Sequence, residues 1–69
     1  MSVYQDIGEF AEALDNGYID EDALNTYCCK GSLYVKDASG DTLFERDYGS
    51  QEACDDVCQL LGLFPPESV

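Results

Sequence analysis

The chain predicts a small α+β fold: one domain over residues 1–69, in the order α-α-β-β-α, with an antiparallel β-hairpin packed against helices. Three observations lead there. Two segments, one near each end, carry apolar residues at three-and-four spacing, the signature of a helix with one buried stripe. Between them, Ser32 to Tyr48 shows two strand-like runs around a Ser-Gly turn. The length of 69 residues allows a single core, because a domain of this size buries only about 60% of its unfolded-chain surface.

The first helix is expected from a capping box, in which Ser2 takes an orphan amide and Gln5 reaches back. Val3, Ile7, Phe10, Ala11 and Leu14 form its stripe, and Asn16-Gly17 stops it. A second, shorter helix is expected after Asp20, an N-cap, with Glu21 and Asp22 at the positive end of the dipole. Ala23, Leu24, Tyr27 and Cys28 would be its buried side, and Lys30-Gly31 its end.

In the hairpin, Leu33-Tyr34-Val35 and Thr42-Leu43-Phe44 are the strands and Ser39-Gly40 the turn. Lys36 and Arg46 stand among Asp37, Glu45 and Asp47, so cross-strand ion pairs are expected there. Ser50 caps the last helix, whose buried stripe is Ala53, Cys54, Val57, Cys58 and Leu61, with Glu52, Asp55 and Asp56 facing water. Gly62 closes it, and residues 64–69, with Pro65-Pro66, are expected to form an exposed tail. A two-stranded hairpin is marginal alone, so the last helix should lie across one of its faces.

Charge is the chain's most unusual property. Fifteen carboxylates stand against three cations, for a formal charge of −12 and no histidine. Self-repulsion of that size opposes a compact state. A hydrophobic content of 45%, with five Tyr and three Phe, nevertheless argues for a folded domain over a disordered acidic tail. Three cations offer no basic patch, which argues against direct binding of nucleic acid or anionic lipid. The longest apolar stretch, Leu60 to Phe64, is far too short for a membrane span. The start, Met1-Ser2-Val3-Tyr4, has no signal-peptide character, so the expected compartment is the cytoplasm.

The chemistry-bearing motifs are weak. Asp15 to Asp20 resembles the middle of an EF-hand loop, with Gly17, Ile19 and Asp20 in place. The same register puts Leu14 at the third ligand position and Ala23 where a bidentate Glu belongs. A helix-turn-helix joint with an N-cap is the better reading. The four cysteines, Cys28-Cys29 and Cys54-x-x-x-Cys58, lack the two-residue spacers of a structural zinc site. Reduced core thiols are favoured by a reducing cytosol, while a bond between Cys28 or Cys29 and the last helix is sterically open. Without histidine there is no Cys-His or Ser-His pair, and no phosphate-binding glycine loop is present. No enzyme, cofactor or metal is expected.

What remains is the acidic surface. Glu9 and Glu12 share one side of the first helix; Asp20, Glu21 and Asp22 crowd its junction with the second; Asp55 and Asp56 line the last. Duplex DNA presents one negative charge per about 1.7 Å of axis, and a DNA-binding groove lined with Lys and Arg is built to meet that density. Carboxylates fixed on helices can occupy such a groove. Each of these seven residues would form a charge-assisted hydrogen bond or ion pair with a basic side chain. Tyr18 or Tyr34 could add an apolar anchor. The competing expectation is a structural or adaptor module that binds through apolar surface, its acidity serving solubility, as in a halophilic protein where salt screens repulsion.

In size, charge and organisation the chain resembles the small acidic proteins with which bacteriophages block host defences, the anti-CRISPR proteins and DNA-mimic inhibitors of restriction or repair enzymes. The resemblance is one of type, with no diagnostic motif, and it carries no residue over by position. It implies a stoichiometric, non-enzymatic inhibitor that binds a basic nucleic-acid-binding protein, such as a CRISPR effector complex, and competes for its DNA groove in the bacterial cytoplasm.

Overall fold

A computed structural model describes residues 3–68. Helix α1 (Ile7–Asp15) is followed by a 3-10 turn at Glu21–Ala23, strands β1 (Asn25–Cys29), β2 (Ser32–Lys36) and β3 (Thr42–Asp47), helix α2 (Gln51–Leu61) and the short strand β4 (Glu67–Ser68). The strands form one sheet in the order β3-β2-β1-β4. β1, β2 and β3 make an antiparallel meander, and β4 pairs parallel with β1. The class is α+β, as expected, with more sheet than a hairpin.

The expected second helix is a strand. Ala23, Leu24, Tyr27 and Cys28 fit a helical stripe, but Thr26 and Cys28 are buried while Asn25, Tyr27 and Cys29 face the other side. That period of two belongs to a strand. Lys30-Gly31 ends it as a two-residue hairpin loop rather than a helix cap, with φ of 52° and 81°. Positive φ at both central residues is the type I′ geometry that matches the twist of paired strands. Only glycine fits the second position, because a Cβ on Gly31 would meet the Gly49 carbonyl carbon at 2.5 Å.

α1 begins later than the capping box suggests. Its N-cap is Asp6, whose carboxylate accepts from the Gly8 amide at 2.8 Å; Ser2 lies outside the described residues. Val3 and Tyr4 precede the helix, and Tyr4 instead joins β3 through a bridge to Phe44. α2 matches its expected limits. Ser50 caps it by accepting from the Ala53 amide, and Gly62 ends it at φ 76°.

One face of the sheet holds the core. Thr26, Cys28, Leu33, Val35 and Phe44 point into it. α1 packs there through Phe10, which stacks on Phe44 with ring centroids 4.9 Å apart. α2 packs on β1 and β2, its Cys54 and Cys58 fully buried. Both helices therefore cover the same face, and no described helix covers the other. The end of the chain is tied down more than a tail would be. Thr26 donates to the Phe64 carbonyl at 3.1 Å, Pro66 is buried, and Glu67–Ser68 extend the sheet. No helix among the described residues is long and apolar enough to cross a membrane.

Candidate functional site

Cys28 donates to the Cys54 sulfur at 3.4 Å, and Cys54 donates to the Gly31 carbonyl at 3.4 Å. All four cysteines are free thiols. Burial pushes Cys54 up to about 12, helped by hydrogen bonding between the Cys54 and Cys28 thiols and by the negative charge that Cys28, Cys58 and Asp55 can carry beside it. Burial, then Asp55, pushes Cys58 to about 11, against a small opposing effect of Thr26. A thiol held protonated at neutral pH is a poor nucleophile. These sulfurs serve as small apolar core groups that let α2 approach β1 closely.

The carboxylates lie outside this core and divide by what they hold. Asp6 caps α1. Asp20 caps the 3-10 turn, accepting from the Asp22 amide at 3.1 Å. Asp37 accepts from the amides of Ser39 and Asp41, fixing the turn between β2 and β3. Asp47 accepts from the Gly49 amide. These four stabilise local backbone by supplying an acceptor to amides that lack one. The carboxylates of Glu9, Glu12, Glu21, Asp22, Asp55 and Asp56 have no hydrogen bond or ion pair among the described residues.

The two helices form one layer, so the exposed sides of both point away from the sheet. Glu9 and Glu12 are exposed on α1, and Asp55 and Asp56, with Glu52, on α2. Helical neighbours three or four apart stand about 5–6 Å from one another at Cβ. Glu21 and Asp22 border a hollow shared with Gly62, Leu63 and Phe64, which sets them at the C-terminal end of α2. Asp20 faces a different hollow, beside Asp37 and Ser39 at the hairpin tip. The structure thus leaves Glu9 and Glu12 exposed on α1 and Asp55 and Asp56 exposed on α2, sets Glu21 and Asp22 at the end of α2, and places Asp20 apart as a cap.

No known protein family, curated protein or solved structure matches this chain.

The cations do not neutralise the surface. Lys36 and Arg46 are expected from the sequence to pair across the strands, but neither forms an ion pair among the described residues. Arg46 donates to the Gln5 carbonyl at 2.8 Å, joining the segment before α1 to β3. The Lys36 ammonium lies 5.7 Å from the Tyr27 ring centroid. Of the expected anchors, Tyr18 is exposed and Tyr34 is half-buried on the open sheet face. Tyr27 is absent from the expected site because a helical stripe would bury it; the alternation from Thr26 to Cys29 is the signal in the chain that points to a strand.

Proposed function

We propose that this chain is a non-enzymatic inhibitor that binds a basic nucleic-acid-processing protein, a CRISPR effector complex being one such type, and competes for its Lys/Arg-lined DNA groove. The observation that supports the reading is the set of carboxylates on the helical layer, fixed on rigid elements, exposed and serving no bond among the described residues. Each is already ordered by its helix, so a partner's cation meets it with less loss of chain entropy than on a flexible tail. Competition needs no chemistry from the chain, only charge density of the kind that duplex DNA presents. The setting is the cytoplasm of a bacterial host.

Its test is capture on the immobilised protein from nuclease-treated bacterial lysate, with and without duplex DNA. A nucleic-acid-binding protein released by DNA supports the proposal. A partner that DNA fails to displace contradicts it.

One observation favours a second reading, an adaptor that docks through apolar surface. Leu60 and Phe64 are 85% and 87% exposed, near the end of α2 and just beyond it. Salt separates the two readings, since ion pairs at an exposed interface weaken with ionic strength and apolar contacts hardly respond.

A further inference from the structure

The uncovered face of the sheet carries an arrangement that the helical layer does not explain. Strand register places Glu45 of β3 opposite Tyr34 of β2, Tyr34 opposite Tyr27 of β1, and Tyr27 opposite Glu67 of β4. Residues aligned across a sheet point to the same side, so this is one row across all four strands: acid, tyrosine, tyrosine, acid. Adjacent strands lie about 4.8 Å apart, which makes the row about 14 Å long. A hollow of about 430 Å³ lies over its two tyrosines, lined by Tyr27, Tyr34, Cys29, Lys36 and Thr42, with Glu45 and Glu67 outside that lining.

We propose that this face binds an arginine-bearing segment of a protein partner, with guanidinium groups stacked on Tyr34 beside Glu45 and on Tyr27 beside Glu67. The molecule already shows the attraction within itself. The Lys36 ammonium lies 5.7 Å from the Tyr27 centroid, within cation–π range. A guanidinium suits the site better than an ammonium, because its flat face can stack on a ring while its edge donates two parallel hydrogen bonds to a carboxylate. Charge selects the partner. On this face Glu45, Asp47 and Glu67 outnumber Lys36, within a chain of net charge −12. An anionic strand or a second copy of the chain would be repelled, and the chain's one arginine, Arg46, is engaged with the Gln5 carbonyl. This site is on the opposite side of the sheet from the helical carboxylates, so it stands or falls independently of them.

The test titrates the full chain with capped oligoarginine and oligolysine peptides of equal length at low salt, following the amide spectrum and the affinity. Oligoarginine should bind about tenfold tighter, because an ammonium over the same two rings keeps the cation–π attraction but lacks the flat stacking and the paired hydrogen bonds to Glu45 and Glu67. Its shifts should centre on Tyr27, Tyr34, Glu45 and Glu67. The double variant Tyr27→Thr/Tyr34→Thr should lose the preference for arginine, threonine being chosen because it suits a strand. Lys36→Gln removes the competing cation and should tighten arginine binding about threefold, on the scale of one contact. This gain keeps the test decisive even if the double variant unfolds. Equal affinity for the two peptides overturns the proposal, as does an arginine preference that survives loss of both rings, or no gain in Lys36→Gln. Shifts confined to α1 and α2 also overturn it, and would leave the helical interface standing.

Discussion

The carboxylates of the turns and those of the helical layer are the same chemical group put to different uses. In the turns, Asp37 holds two backbone amides with one oxygen, and Asp6, Asp20 and Asp47 hold one each. On the helices, Glu9, Glu12, Asp55 and Asp56 hold nothing among the described residues and stand close to like charges. The first group is explained by folding. The second works against it, since like charges at helical spacing destabilise by a few tenths of a kcal/mol per pair. Charge that the fold does not use is charge available to a partner.

Measurements of stability test that division, and the largest effect comes from the core. Burial keeps Cys54 and Cys58 protonated in the folded state, while free thiols ionise near about pH 8.5. Above that pH the unfolded chain binds fewer protons than the native one. Stability should therefore be intact below it and fall as pH rises toward about 11 for Cys58 and about 12 for Cys54. Urea midpoints across that range, compared with Cys58→Ala, check this: the variant's slope should be shallower. An equal slope would mean that the thiols are not the cause.

Next is Asp37→Ala, which removes the acceptor of two turn amides. Its expected cost is about 2 kcal/mol, and an unchanged urea midpoint would remove Asp37 from the structural group. Asp6→Ala should cost about 1 kcal/mol as a lost N-cap. Tyr48→Phe runs the other way. The Tyr48 hydroxyl is buried without a hydrogen-bond partner among the described residues, so the variant should be as stable as the parent or more so, by up to about 1 kcal/mol. The smallest effect belongs to Glu12→Gln and Asp56→Asn, expected within about 0.5 kcal/mol and on the stabilising side. A large loss in either would show that the helical charges serve the fold after all.

The two helices were legible because a stripe sustained at a period of 3.6 breaks the strict alternation a strand requires, and Ser50 and Gly62 mark the limits of α2 in both chemistry and geometry. β1 was not. Its alternation spans only Asn25 to Cys29, Ala23 and Leu24 extend it into an equally good helical stripe, and glycine after Lys30 suits a helix end or a hairpin turn alike. Pairing with β2 decides the matter, and pairing is a tertiary fact. β4 carries no local signal at all; Glu67 and Ser68 become a strand only because β1 has a free edge. For the same reason the row from Glu45 to Glu67 could not be read from the chain, since it needs the register of four strands. The exposed positions on α1 and α2 were readable because the stripe that defines the buried side also defines the opposite one. Asp20 shows the limit of that logic: its exposure was legible, but its use as a cap makes it the weakest of the seven residues expected to bind.

In the proposed function the helical carboxylates form the interface. The direct measurement is the affinity of the captured partner for the parent chain and for Glu12→Lys/Asp55→Lys/Asp56→Lys, over a range of salt concentrations. The parent complex should weaken steeply with salt, and the variant should bind at least about a hundredfold more weakly at low salt, mainly through slower association, while remaining folded. A variant that binds as tightly as the parent, with the same response to salt, would contradict the proposed function.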